Sequence, residues 1–446
     1  MEKQILNKKK DEYSLATIPV SKAVIKNVIP AMFAMLMTLV YNLADTFFIG
    51  QTHDALQVAA VSLATPVFLI FMSIGNIFGI GGTSVISRAL GAGETNFAKK
   101  ACSFCFWNCI FAGFSVSAFF LIFMNWILKI SGASAETWEF AKTYLVIVTF
   151  SGPFVLISSA YSNILRAEGE STRAMTGQVL GNFLNIILDP IMILGFGWNI
   201  KGAAIATVFG NIAGAAYYII YFLRGKSKFL SISPKDFSAG KGICLGILSI
   251  GIPSALGSFL MSISQIIMNS LMSFYGDMAL AGTGVAMKVT MMTGMIAMGI
   301  GQGIQPLLGW CIGAKDKVRY KKIFRFSLAF AFSVSAVLTA VCYVFVSKIA
   351  AAFISEQSAL DFAVKFSKIL LTTSSICGIY FVLVNALQAS GATVASFILN
   401  ISRQGIIYIP LLFIFSQFIG ANGLIWAQPA ADILSLFLAI VLYYFS

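Results

Sequence analysis

The sequence predicts an all-α polytopic membrane protein with twelve transmembrane helices in two pseudo-symmetric six-helix bundles. Three observations lead to this fold class. First, 58% of the 446 residues are hydrophobic and 11% are charged, whereas a soluble domain has about 25% charged residues. Second, apolar stretches of membrane-spanning length follow one another along the chain with little sequence between them. Third, the two halves of the chain resemble each other.

The apolar stretches give the number of spans. A helix needs about 20 apolar residues to cross a bilayer, and twelve segments meet this requirement. They run approximately over 24–48, 57–82, 101–127, 140–161, 176–197, 202–223, 242–272, 279–311, 324–347, 366–388, 393–418 and 421–444. Little chain remains between them, so we expect no soluble domain. The first apolar run has full spanning length and lacks a small-residue cleavage pattern, so we expect no cleavable signal peptide.

An internal repeat relates the first six spans to the last six. At an offset of 222 positions, "GIGGTSVISRALGAGE" (79–94) aligns with "GQGIQPLLGWCIGAKD" (301–316), and "LRAEG" (165–169) aligns with "LQASG" (387–391). Each half has an even number of spans, so both halves start on the same side of the membrane. The repeat is therefore parallel, with its pseudo-two-fold axis along the membrane normal.

The repeat also predicts the domain organisation. We expect an N-terminal six-helix lobe at 1–223, a cytoplasmic linker at 224–241 and a C-terminal six-helix lobe at 242–446. The linker is basic and rich in turn-forming residues. Two bundles that face each other across a central cleft are typical of transporters, with sites near the midplane and alternating access by rocking.

The net charge of +13 follows membrane topology. Most of the 30 Lys and Arg residues lie in loops on one side of the predicted spans, including the linker and the run from Lys315 to Arg325. Such a bias marks the cytoplasmic side. It predicts a multi-pass protein of an inner or plasma membrane with cytoplasmic N- and C-termini. The basic excess is then explained by topology and anionic lipid, and nucleic acid is not an expected partner.

Ionisable residues inside the predicted spans are the first candidates for function. A charge at the centre of a transmembrane helix costs about 2.5–3.5 kcal/mol on insertion scales. Four such residues are Asp45, Asp189, Lys288 and Asp432. The structural alternative is that each is a buried polar residue that only fixes packing.

The stretch "NFLNIILDPIMILGF" (182–196) combines a carboxylate with a helix breaker. Asn185 precedes Asp189 by four residues and shares its helix face, and Pro190 leaves the carbonyl of Ile186 without its helical donor. Oxygens gathered in this way suit a proton or a small hard cation. The alternative is that Pro190 merely kinks the helix.

These motifs together carry a family resemblance. "YNLADTFFIG", "NIILDPI", the "LRAEGESTRAM" loop and the "GQGIQPLLGWCIGAK" run resemble the multidrug and toxic compound extrusion (MATE) family, most closely its bacterial MepA-like members. The likeness covers nearly the whole chain. It implies a twelve-helix antiporter of a bacterial cell membrane that exports cationic or amphipathic drugs against an inward flow of H⁺ or Na⁺.

The resemblance also implies a cation site. The family's amino-lobe site maps to Asp45, Asn185, Asp189 and Thr207, and Pro30 matches the proline at which the first helix bends in some members. One branch of the family also places acidic residues on spans 7 and 10, where this sequence has none. A carboxy-lobe sodium site of that kind is therefore not expected.

A methionine stripe is the candidate lining for the substrate cleft. Met287, Met291 and Met295 recur at helical spacing on span 8, and methionine occurs on promiscuous binding surfaces. The alternative is ordinary helix packing. Lys288 and Asp432 complete the candidate cleft, and opposite charges in a low dielectric tend to pair. We therefore hypothesise that these two side chains pair, directly or through water, and that Asp432 can also face the substrate.

Other function classes fit the sequence less well. A flippase for lipid-linked oligosaccharides, the second hypothesis, requires several Arg or Lys residues in its cleft to hold pyrophosphate. A channel requires an oligomeric pore element, whereas one chain here supplies both lobes, so a monomer is expected. No catalytic triad, nucleotide motif or metal-ligand cluster is present in the sequence. We therefore expect no enzymatic activity and no cofactor beyond the coupling ion.

Overall fold

The computed structural model describes residues 17–445, apart from residues 53, 132 and 355. The described residues form helices and connecting turns without a strand. Among the described residues, ten helices are long and apolar enough to cross a membrane, and counting each of two bent helix pairs as one span gives twelve. The predicted fold class of twelve transmembrane helices is confirmed.

The spans follow the predicted order. The first lobe's sequence contains α1 (Val20–Gly50), α2 (Ala55–Ala92), α3 (Thr95–Ile122), a short α4 (Met124–Ile130), the pair α5 (Trp138–Thr149) and α6 (Gly152–Ala167), α7 (Ser171–Pro190) and α8 (Asn199–Leu223). The second contains α9 (Lys241–Ser273), α10 (Asp277–Gly313), α11 (Lys317–Val344), a short α12 (Val346–Ala351), the pair α13 (Gln357–Leu371) and α14 (Ser374–Ser390), α15 (Thr393–Ile401), α16 (Tyr408–Ile419) and α17 (Ala421–Phe445). The two pairs bend by 57° and 46°.

Two π-helical segments interrupt the fifth and eleventh spans, which are equivalent in the repeat. One, Ile191–Gly195, continues α7, and the other, Ser402–Ile406, joins α15 to α16. A π-turn adds one residue to a helical turn and often marks a functional position. Both candidate polar regions described below lie at these segments.

Contacts between residues divide the chain into two compact units, Leu36–Ile252 and Met1–Met35 together with Pro253–Ser446. The divisions fall inside α1, five residues after Pro30, and inside α9, at Pro253. The basic segment 224–240 belongs to the first of these units. There it packs on the end of α6, where Glu168 accepts hydrogen bonds from Ser227 Oγ at 2.7 Å and from the backbone N–H of Phe229 at 2.8 Å.

Small residues let α7 and α8 approach closely in the first unit. A Cβ atom added at Gly181 would lie 2.7 Å from the carbonyl oxygen of Gly210, and one added at Gly210 would lie 2.7 Å from the carbonyl oxygen of Gly181. Glycine at both positions therefore permits backbone contact, as is common between membrane helices. The contact lies one turn from Asn185, so it also positions the candidate cation site.

Gly210→Ala is expected to destabilise the protein by about 1–3 kcal/mol, because the added methyl group would push against the backbone of α7. The measurement is the thermal unfolding midpoint of the purified protein in detergent. Gly284→Ala is the matched control, since a Cβ there meets nothing within 4 Å and a helical alanine is favoured over glycine by about 1 kcal/mol. Equal midpoints for the two variants would contradict close backbone packing at Gly210.

The second unit is built around α10. Cβ atoms added at Gly299 and Gly303 would lie 2.9 Å and 2.7 Å from the Cα atoms of Met32 and Val28, so the first half of α1 packs directly on this helix. An apolar cluster from α9, α10, α13, α16 and α17 fills the unit on another side of α10. It includes Met268, Ala286, Phe366, Leu412 and Ile425.

Candidate functional site

Three of the four predicted cation-site residues lie at the contact between α7 and α8. Asp189, Asn185 and Thr207 are 0%, 2% and 3% exposed. In the amide orientation that satisfies its neighbours, Asn185 donates to Asp189 Oδ2 at 3.0 Å and accepts from the backbone N–H of Thr207 at 3.0 Å. Asn185 lies one turn before Asp189, so these two side chains and the backbone of Thr207 form one hydrogen-bonded cluster.

Asp45 lies on α1 and interacts electrostatically with this cluster of Asn185, Asp189 and Thr207. In their ionised forms the carboxylates of Asp45 and Asp189 repel each other. Asp45 Oδ1 and Asp189 Oδ1 are both buried and have no hydrogen-bond partner among the described residues. A buried carboxylate oxygen without a donor is unfavourable. The arrangement therefore favours binding of a positive charge or a proton.

Two tyrosines complete the surroundings of the carboxylates. Tyr41, one turn before Asp45 on α1, and Tyr144, on α5, both lie near the two aspartates. Their hydroxyls also lie near the side chain of Thr207. The site thus draws on α1, α5, α7 and α8, and it offers hydroxyl groups beside the two carboxylates.

A polar face of α7 holds α1 in place. Gln178 Nε2 and Asn182 Nδ2 donate to Thr38 Oγ1 at 3.0 Å and 3.1 Å. Together with Asn185 and Asp189, these residues follow intervals of four, three and four, which is one helix face. Thr38, Gln178 and Asn182 were not among the predicted site residues, although the spacing of polar residues in α7 is visible in the sequence.

The two predicted helix-bending prolines differ in their local structure. The π-helical segment Ile191–Gly195 begins directly after Pro190, so the wide turn starts where the proline lacks an N–H. The backbone N–H of Phe196 bonds to the carbonyl of Ile191 at 2.9 Å and closes this segment. Pro30 lies inside α1, which is continuous from Val20 to Gly50.

The hypothesised pair between Lys288 and Asp432 is wrong. Asp432 Oδ1 accepts from Arg403 Nε at 2.9 Å and from Gln428 Nε2 at 2.9 Å, and Oδ2 accepts from Thr373 Oγ1 at 3.2 Å. Lys288 is exposed, and its Nζ lies 5.4 Å from the centroid of the Phe353 ring. Arg403 falls inside the predicted span 393–418 and should have been counted among the intramembrane charges.

The methionine stripe on α10 has a mixed environment. Met287 packs against the apolar cluster of the second unit. Met291 is 37% exposed, and Met295 is half-buried. Met287 therefore serves packing, whereas Met291 leaves much of its surface free. Their predicted contact with substrate stays a prediction.

Comparison with known proteins agrees with this architecture. The MatE family model matches residues 30–191 and 253–414, one match in each half of the repeat. The multidrug export protein MepA of Staphylococcus aureus (strain MRSA252) is 33% identical over 441 residues, which cover 98% of this chain and 96% of that protein. MepA of Staphylococcus saprophyticus is 30% identical over 437 residues, with the same coverage.

A solved structure extends the comparison to the fold. The outward-facing conformation of a multidrug resistance MATE family transporter of the MOP superfamily superimposes with a TM-score of 0.92 and covers 97% of both chains at 24% identity. The two family matches together cover more than half of the chain. The chain therefore belongs to the multidrug and toxic compound extrusion (MATE) family.

Proposed function

We propose that this transporter exports cationic or amphipathic small molecules in exchange for an inward-moving cation, by alternating access. As a MATE family member it is a membrane transporter and not an enzyme, and its relatives are named multidrug export proteins. The observation that carries the exchange is the pair of repelling carboxylates, Asp45 and Asp189, each with a buried oxygen that lacks a donor. Asn185 and Thr207 belong to the same proposed coupling site.

The coupling mechanism follows from linkage. A proton or Na⁺ that binds between Asp45 and Asp189 removes their repulsion and stabilises the conformation in which the site is compact. Export against a gradient requires that this ion and the exported molecule favour opposite conformations of one two-state equilibrium. Occupation of the carboxylates from outside then favours release of the exported molecule outward.

We propose H⁺ as the coupling ion, with Na⁺ as the second candidate. Asn185 directs its N–H toward Asp189, while its oxygen accepts from the backbone of Thr207. An amide that presents a donor does not serve as an oxygen ligand for Na⁺, which prefers oxygen donors. A proton on either carboxylate needs no such ligand shell.

The test is ethidium transport by the purified protein in vesicles, with proton and sodium gradients imposed separately. A proton gradient alone is expected to drive accumulation against the dye gradient, and a sodium gradient alone is not. Accumulation driven by a sodium gradient alone would show that Na⁺, and not H⁺, is the coupling ion. If neither gradient drives accumulation, the proposed exchange is overturned.

A flippase for lipid-linked oligosaccharides is the less favoured function. Such a protein needs several unpaired basic groups for a pyrophosphate. Arg403, which lies in the interior of the second unit, is already bonded to Asp432. The relatives also carry the name of drug exporters.

We further propose that both termini and segment 224–241 are cytoplasmic, that the protein lies in a bacterial cell membrane, and that it functions as a monomer. The terminal residues 1–16 and 446 lie outside the described residues.

Two positions in the basic segment differ in their suitability for labelling. Lys226 is exposed, whereas Ser227 is hydrogen-bonded to Glu168, so Lys226 is the better labelling position. Light scattering of the detergent-solubilised protein tests the monomer, and a dimer mass would contradict it.

Lys226→Cys is expected to resist a membrane-impermeant maleimide in intact cells and to react after the cells are opened, because the basic segment is placed inside by the positive-inside bias. The parent protein, with its seven native cysteines, is the control for background labelling. Rapid reaction in intact cells would invert the proposed topology.

A further inference from the structure

Arg403 lies in the polar interior of the second unit, and its hydrogen-bonding capacity is incompletely used among the described residues. It lies in the π-helical segment Ser402–Ile406. Its guanidinium carbon is 4.9 Å from the centroid of the Tyr380 ring and 5.4 Å from that of Phe381. The guanidinium therefore lies over two aromatic rings, and its N–H groups remain available for hydrogen bonds.

One edge of the guanidinium is occupied. The Nε and Nη2 atoms share this edge: Nε donates to Asp432 Oδ1 at 2.9 Å, and Nη2 points to Cys377 Sγ at 3.7 Å. Thiol sulfur is a weak acceptor, so the second contact satisfies little of the donor capacity of Nη2. Asp432 receives additional donors from Gln428 and Thr373, so the carboxylate is fully bonded where it lies.

The other edge, formed by Nη1 and Nη2, is free. A guanidinium has five N–H donors in a fixed fork, and the described residues give Nη1 no hydrogen-bond partner. The Arg403 side chain keeps 17% of its surface exposed, so this edge is reachable from outside the packed interior. Unmet donors on a largely buried charged group are unfavourable, which favours an acceptor from elsewhere.

We propose that the Nη1/Nη2 edge of Arg403 binds the carboxylate of a zwitterionic exported molecule. Two parallel N–H groups match the two oxygens of a carboxylate, which gives a bidentate contact. Asp432 already neutralises the charge of Arg403, so an overall neutral zwitterion leaves the net charge of the interior unchanged. A molecule with a carboxylate and no positive group is disfavoured, because it would add an uncompensated negative charge.

This site is separate from the proposed cation site. Asp45 and Asp189 belong to the unit Leu36–Ile252, whereas Arg403, Asp432, Gln428 and Thr373 belong to the other unit. The inference rests on the proposed function in one respect, because it takes the bound molecule to be an exported substrate. It assigns to Asp432 the role of a positioning residue that orients Arg403, in place of the predicted direct contact with substrate.

The test is equilibrium binding of two fluorescent dyes to the purified protein in detergent, without any gradient. Rhodamine B carries a xanthylium cation and a free carboxylate, and its ethyl ester is the same cation with the carboxylate blocked. We expect the free acid to bind at least tenfold more weakly to Arg403→Gln/Asp432→Asn than to the unmodified protein, and the ester to change less than threefold. The double substitution is chosen because it leaves no unpaired charge.

Arg403→Lys is the second variant in case the double variant does not fold. It keeps the charge and loses the planar fork, so the free acid is expected to bind several-fold more weakly and the ester equally well. Equal losses for both dyes, or failure of the unmodified protein to bind the free acid, would overturn the carboxylate site. If the unmodified protein binds both dyes and neither variant weakens binding of the free acid, the carboxylate site is overturned. The proposed export function would remain intact in that case.

Discussion

Asp189→Asn is expected to abolish ethidium accumulation driven by a proton gradient, to the level of vesicles without protein, while the protein remains folded. The substitution removes the titratable group and one of two repelling buried charges, so the ion no longer distinguishes between the two conformations. Asp45→Asn is expected to have the same effect. Transport is measured in vesicles, and folding is measured by gel filtration and thermal unfolding.

Asp361→Asn is the matched control. Asp361 lies on the exposed face of α13, where it accepts from Gln357 Nε2 at 3.0 Å, so its replacement is expected to leave transport within about twofold, as is usual for surface substitutions. Downhill movement of ethidium is expected to survive Asp189→Asn, since the carboxylate is assigned to coupling. Continued accumulation against a gradient by the Asp189→Asn protein would show that this carboxylate does not couple the ion to export.

Arg403→Met is expected to destabilise the protein by about 3–5 kcal/mol, because it leaves Asp432 as an unpaired charge in the interior. The double variant Arg403→Met/Asp432→Asn is expected to recover most of this loss. A buried ion pair replaced by neutral groups of similar volume is often close to neutral in stability. The measurement is the unfolding midpoint in detergent for both single variants and the double variant.

Lys288→Met provides the comparison for this cycle. Lys288 is exposed, and its ammonium group contacts the ring of Phe353, an interaction worth about 0.5–1 kcal/mol at an exposed site. We therefore expect a small change in stability that simply adds to that of Asp432→Asn. Non-additivity between Lys288 and Asp432, with additivity between Arg403 and Asp432, would contradict the pairing observed in the structure.

The sequence by itself determined the fold class and the residues of the candidate cation site. Apolar length is a local property, so the spans could be predicted directly, and each of the bent pairs α5–α6 and α13–α14 overlaps a single predicted span. Asn185 and Asp189 share a face because four residues are about one helical turn. The addition of Asp45 and Thr207 depended on the family resemblance, since no local pattern relates separate helices.

The tertiary structure alone decided which charges pair in the second unit. Helical spacing assumes about 100° of rotation per residue, and a π-turn inserts one residue into the helix. The segment Ser402–Ile406 therefore changes the faces that residues on either side present, and it places Arg403 against Asp432. The sequence shows a basic and an acidic residue on separate spans, but it contains no local signal for that turn or for the distance between them. For the same reason, Thr38 could be joined to Gln178 and Asn182 only once the helices were packed.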